Sequence, residues 1–247
     1  MALALALAAS AAHAADPAQV SVAVAANFTA PMRDIAAAFE RESGHGVQVS
    51  TGSTGKLYAQ IKNGAPFQLL LAADADTPER LVREGLAAPD SRFTYAIGRL
   101  ALWSAQPGVV DPTGDVLRGG GFDRLAIANP RLAPYGAAAV EVLRGMGIEL
   151  ALEPKIVQGE NIAQTWQFVS TGNAQLGFVA LSQIMKDGKI ASGSAWVVPQ
   201  TLYAPIRQDA VLLASGADLP AARKLMAFLR GEKARSIIES FGYRLAP

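Results

Sequence analysis

The stretch SVAVAANFTAPMRDIAAAFERESG, Ser21 to Gly44, decides the fold class. It opens with an apolar run, Ser21 to Ala26, of the kind a buried strand carries. Asn27-Phe28-Thr29 breaks the run. Met32, Ile35, Ala36 and Phe39 then recur at i, i+3, i+4 and i+7, the apolar face of a helix that Gly44 stops. Strand, short polar turn and helix together make the first half of a βαβ unit.

The same order recurs outward from there. Val47–Ser50 reads as a strand, Thr51-Gly52-Ser53-Thr54-Gly55 as a polar turn, and Lys56–Asn63 as a helix. Phe67–Ala73 is a third strand. Thr77-Pro78 reads as an N-cap followed by proline at the first helical position, with the helix ending at Gly85. Further on, Arg124–Ala128, Lys155–Gln158 and Leu176–Ala180 read as strands. Helices follow at Ala137–Arg144, at Ile162–Ser170 and, briefly, through Lys186. Strands alternating with helices imply an α/β fold with parallel sheets and right-handed crossovers.

Two such units fit 247 residues. Thr94–Ser104 reads as the passage from one to the other and Ala204–Ala214 as the return. Helices at Pro220–Arg230 and Glu232–Phe241 then pack back on the first unit. The expected organisation is a discontinuous first lobe, residues 16–97 plus 208–247. A second lobe, residues 98–207, is inserted in it, with a ligand cleft between the two.

Composition narrows the function. Lys and Arg number 22 against 21 Asp and Glu, without the dense basic face that nucleic acid requires. Cysteine is absent and histidine occurs only at His13 and His45, which removes thiolate sites and most histidine-based catalysis. Met1 to Ala15 is an uncharged Ala/Leu run closing on Ala12-His13-Ala14, a small-x-small cleavage pattern. Residues 1–14 are read as a signal peptide, and the mature chain is expected to be exported to the periplasm, soluble and monomeric.

The informative feature is a junction repeated four times, in which an apolar strand ends in a polar or glycine-containing turn and a helix begins. The turns hold Asn27 and Thr29; Ser53, Thr54 and Gly55; Tyr135 and Gly136; Asn161 and Ile162. In open α/β sheets, ligands bind beyond the carboxyl ends of the strands. Helix N-termini present unpaired N–H groups and partial positive charge there. Several aimed into one cleft form an anion site without Lys or Arg. The plain alternative is that Ser, Thr and Asn at helix starts cap their own helices. These residues alone reach only a small polar ligand.

Other candidates are weaker. Gly52-Ser53-Thr54-Gly55-Lys56 lacks the flanking residues of a P-loop, having Ser50 and Leu57 instead. Gly119-Gly120-Gly121 precedes a strand and reads as a turn. Asp74 and Asp76 sit where helix-start chemistry explains them. His45 reads as an exposed loop residue, and Trp103, Trp166 and Trp196 as core.

At Ala25-Ala26-Asn27-Phe28, Gly52-Ser53-Thr54-Gly55, Asn63-Gly64-Ala65-Pro66 and Leu71-Ala72-Ala73-Asp74 the chain resembles the periplasmic molybdate-binding protein family, ModA type. The resemblance continues through Arg92–Gly98, Asn129-Pro130, Ala133-Pro134-Tyr135-Gly136 and Leu176–Ala180, nearly the whole mature chain. It implies the type II periplasmic binding protein fold, with two α/β lobes around a ligand cleft. It also implies capture of molybdate, and usually tungstate, for the membrane permease of an ABC importer. Site residues implied by position are Ala26 and Asn27, Ser53, Thr54, and the backbone N–H groups of Tyr135 and Ile162. No cofactor is implied, and molybdenum is held only as its oxyanion, with no direct protein ligand to the metal. Some members place a tyrosine hydroxyl where this chain has Ala180; Asn27, a serine in those members, is then a candidate replacement donor. Sulfate or phosphate remains an alternative ligand, and a hydrolase or transferase of a phosphorylated metabolite an alternative function.

Overall fold

In the computed structural model, residues 18–246 except Asp187 are described. The leader read at residues 1–14 lies outside them. The chain runs β1 (Gln19–Ala25), α1 (Thr29–Ser43), β2 (Gly46–Gly52), α2 (Thr54–Lys62), β3 (Leu69–Leu71), α3 (Asp76–Arg83) and β4 (Phe93–Gly98). It continues through β5 (Leu100–Ser104), α4 (Val116–Gly119), β6 (Leu125–Ala128), α5 (Pro134–Gly145), α6 (Glu149–Leu152), β7 (Ile156–Gly159), α7 (Ile162–Ser170) and β8 (Leu176–Ala180). Then come α8 (Leu181–Ile184), β9 (Met185–Lys186), β10 (Lys189–Ile190), β11 (Ser194–Val197), β12 (Ile206–Leu212), α9 (Pro220–Arg230) and α10 (Glu232–Ser240).

Two five-stranded sheets form two lobes, in the orders β2-β1-β3-β12-β4 and β11-β5-β8-β6-β7. The chain crosses between them at Gly98–Leu100 and again just before Ile206. The sheets are mixed, whereas the alternating pattern suggested parallel ones. β1 is parallel to β2 and β3, and β6 to β7 and β8, but β12 runs antiparallel to β3 and β4, and β5 to β8 and β11. The physical reason is the crossing itself. A chain that leaves a lobe along one strand and returns along its neighbour must run the opposite way.

Both faces of the first sheet are covered, which is why its strands read as unbroken apolar runs. Val20, Val22 and Val24 of β1 meet Phe28, Met32, Ile35 and α9, while Ala23 between them faces Leu57 and Ile61 of α2. The strand period of two thus divides one run between two cores.

Several local readings are corrected. The helix after β8 stops at Ile184, and Met185–Lys186 pairs with Lys189–Ile190 as a short hairpin. α3 starts at Asp76, so Pro78 is its third residue; the cap comes from Asp74, whose Oδ1 accepts the Thr77 N–H at 2.8 Å. His45 is buried, and its Nδ1 accepts the Ala18 N–H. Trp103 and Trp196 are core, but Trp166 is exposed and stacks on Trp103. Among the described residues no helix is long and apolar enough to cross a membrane.

Candidate functional site

The loops leaving the carboxyl ends of β1, β2, β6 and β7 meet between the lobes around a small cavity of about 10 Å³. All six residues singled out in the sequence line it: Ala26, Asn27, Ser53, Thr54, Tyr135 and Ile162. Among the described residues, no Asp, Glu, Lys, Arg or His does. Any positive potential there comes from backbone dipoles and hydrogen-bond donors.

Each junction leaves particular donors free, for a particular reason. In α5 the first residue is Pro134, which has no N–H. The N–H groups of Gly136 and Ala137 both donate to the Ala133 carbonyl, so Tyr135 carries the unclaimed donor of that turn. In α7, Asn161 caps its own helix, its Oδ1 accepting from the N–H groups of Ala163 and Gln164 at 3.0 and 3.1 Å. That satisfies the second and third positions and leaves the first, Ile162. The capping alternative therefore holds for Asn161, and it is what frees its neighbour.

It fails for Ser53. This residue is the N-cap of α2, with extended backbone, yet its hydroxyl bonds to no group of the helix. Its Oγ is buried without any hydrogen-bond partner. Buried polar groups are normally paired, so this orphan hydroxyl in the cavity wall is a donor that the fold itself does not use. Thr54 is next to it. Its Oγ1 accepts the Ala73 N–H at 3.0 Å, which fixes the oxygen and leaves the hydroxyl hydrogen to donate.

Asn27 differs from expectation. Its Nδ2 donates to Gln208 Oε1 at 2.8 Å and to the Tyr243 hydroxyl at 3.0 Å. Both amide hydrogens are committed inside the protein, so the side chain is not the replacement for a tyrosine donor at Ala180. Asn27 still lines the cavity, so any donor it has for a ligand is its backbone N–H. Ala180 itself is fully buried and caps α8, its N–H donating to Gln183 Oε1 at 2.9 Å. Gln183 Nε2 donates in turn to the Ile162 carbonyl at 3.0 Å, bracing that cavity-lining loop. Sequence reading missed Gln183 and Gln208. The second had a signal, a Gln-Asp pair inside an apolar strand.

Across the cleft, the Gly55 N–H donates to the Leu132 carbonyl at 3.0 Å, and Lys56 pairs with Glu160 at 2.6 Å. Tyr95, Tyr135 and Tyr243 lie in the polar layer behind the cavity. Burial raises all three phenols above their ordinary range, that of Tyr243 to about 12, and keeps them neutral hydrogen-bonding groups.

Two α/β lobes joined by crossing strands, with neutral donors converging between them, define a type II periplasmic binding protein. Residues 20–244 match the family described as bacterial extracellular solute-binding protein. The molybdate-binding protein ModA of Azotobacter vinelandii is 59% identical over 232 residues, covering 94% of this chain and 92% of the relative. That of Rhodobacter capsulatus is 50% identical over 226 residues, covering 91% and 88%. The solved periplasmic molybdate-binding protein of Azotobacter vinelandii superposes with a TM-score of 0.90 at 44% identity, covering 92% of this chain and 100% of that one. The chain belongs to the bacterial extracellular solute-binding proteins and, within them, to the ModA type.

Proposed function

We propose that this protein captures molybdate, and tungstate with it, and delivers the anion to the membrane permease of an ABC importer. The observation that carries the reading is the partnerless Ser53 hydroxyl, beside the half-used Thr54 hydroxyl, in a wall free of charged side chains. A dianion accepts hydrogen bonds and donates none, and this wall supplies donors from both lobes. The ligand set we propose is Ser53 and Thr54 by side chain, and the Ala26–Asn27 turn, Tyr135 and Ile162 by backbone N–H. The metal is reached only through its oxygens.

The protein is a transport binding protein rather than an enzyme. The relatives above carry binding-protein names. The family is extracellular; export through a leader cleaved after Ala14, a monomeric state, and lobes divided as 16–97 plus 208–247 and 98–207 belong to the same proposal. The test is isothermal titration with molybdate, tungstate, sulfate and phosphate. Donors fixed at the spacing of a larger anion leave sulfate with long, weak hydrogen bonds. Molybdate and tungstate are expected to bind far more tightly. Equal affinity for sulfate would overturn the ligand assignment and leave the oxyanion site standing.

A further inference from the structure

Gln208 is fully buried between the two lobes and is not itself one of the residues lining the cavity. Its amide is nevertheless used at both ends. Oε1 accepts from Asn27 Nδ2 at 2.8 Å and from the Tyr95 hydroxyl at 2.9 Å. Nε2 donates to the Tyr135 hydroxyl at 3.0 Å. Asn27 belongs to a loop of the first lobe and Tyr135 to α5 of the second. One side chain therefore ties together two cavity-lining loops from opposite sides of the cleft.

Two features of the backbone are built around this tie. The β12–β4 ladder slips at Gln208, which pairs with Ala96 while Asp209 pairs with Thr94, leaving Tyr95 as the extra residue. Such a bulge re-aims side chains, and here the Tyr95 hydroxyl ends on Gln208. Gly98 closes β4 where the chain crosses to the second lobe. A Cβ there would lie 2.2 Å from the Tyr135 hydroxyl oxygen and 2.5 Å from Gln208 Nε2. Only glycine admits the contact. A parallel tie runs beside it: Ser182 Oγ, from the second lobe, donates to the Asn27 carbonyl at 3.0 Å, and the Tyr243 hydroxyl donates to the same oxygen at 2.8 Å.

We infer that Gln208 is a positioning residue that couples lobe closure to anion affinity, by joining the Asn27 loop to Tyr135 when the lobes are together. The inference rests on the anion-binding reading above. The Gln208–Tyr135 bond spans the lobes, so it stabilises the closed arrangement in which donors from both lobes surround one site. Removing it lowers the closed fraction of the unliganded protein, and apparent affinity falls by the same factor.

The test compares Gln208→Met, Tyr135→Phe and the double variant with the wild type. Molybdate titration gives affinity, and small-angle scattering of the unliganded proteins gives the degree of opening. One neutral hydrogen bond corresponds to about a 2- to 12-fold loss of affinity for Tyr135→Phe, and Gln208→Met, which also releases Asn27 and Tyr95, is expected to lose at least as much. The double variant is expected to lose no more than Gln208→Met alone, because the bond that Tyr135→Phe removes is already gone there. Each single variant is expected to be more open than the wild type. Tyr135→Phe cuts the same bond without touching β12, so it decides the matter if Gln208→Met fails to fold. Multiplying losses in the double variant, or unchanged scattering together with unchanged affinity in the singles, would overturn the inference. A wild type that ignores molybdate would refute the functional reading alone, since scattering of the unliganded variants still tests the tie.

Discussion

Replacing Ser53 by alanine separates ligand binding from folding, because the two effects have opposite signs. The side chain is buried and its hydroxyl has no partner in the protein. Nothing in the fold is lost when it goes. An unpaired buried polar group costs about 1–3 kcal/mol, less wherever solvent reaches it. Unliganded Ser53→Ala is therefore expected to melt at or above the wild-type temperature. The anion, in contrast, loses a hydrogen bond to a charged acceptor, worth about 1.5–3 kcal/mol. At about 1.4 kcal/mol per decade, that raises Kd for molybdate about 12- to 140-fold. Isothermal titration, with thermal melts of the same preparations, reads both quantities. Affinity within threefold of wild type would refute the assignment of this hydroxyl to the ligand. A variant that lost stability instead would show that the hydroxyl is paired within the fold.

Thr54→Val behaves differently, because it also strands the Ala73 N–H: both affinity and unliganded stability fall, the latter by about 1–3 kcal/mol, and Thr54→Ser restores both in the same assays. Gly55→Ala sets a Cβ 3.0 Å from Leu132 Cδ2 and 3.2 Å from its Cα across the cleft. Overpacking of that kind weakens molybdate binding by about fivefold or more with little change in the unliganded melt, as titration and melting together check. Asp74 has its pKa raised by burial, helped by the nearby charges of Asp76 and Asp209 and opposed by its bonds to Thr77. Its ionised form therefore burdens the folded state above that pKa. Asp74→Asn is expected to raise the melting temperature at pH 7, with the gain shrinking as pH falls through the Asp74 titration; a gain that grew in acid would contradict the burial argument.

Much of this architecture is legible in single residues. Helix α7 runs from Ile162 to Ser170 and β8 from Leu176 to Ala180, as read, because Asn161 caps one and apolar residues fill the other. The cavity residues were legible because each sits at a strand-to-helix junction, and a junction is a local pattern. What escaped was set by partners far along the chain. His45 looks like a loop residue until Ala18 and Lys224 close over it. Asn27 looks like a free amide until Gln208 and Tyr243, 181 and 216 residues away, take its hydrogens. The antiparallel strands β5 and β12 carry no mark of direction in their composition; direction comes from the need to cross between lobes and return.

The separation between Asn27 and Tyr243 bears on how the molecule forms in time. Strand β12 lies between β3 and β4, so the first sheet stays split until residue 212 has been made. The clasp on Asn27 waits for Tyr243, almost at the chain's end. The second lobe, contiguous in sequence, has no such wait. Contacts this distant close late, since the loop entropy they must overcome is large. A nascent chain of this protein can therefore carry every proposed ligand residue from Ala26 to Ile162 before the first sheet and the clasp on Asn27 are complete.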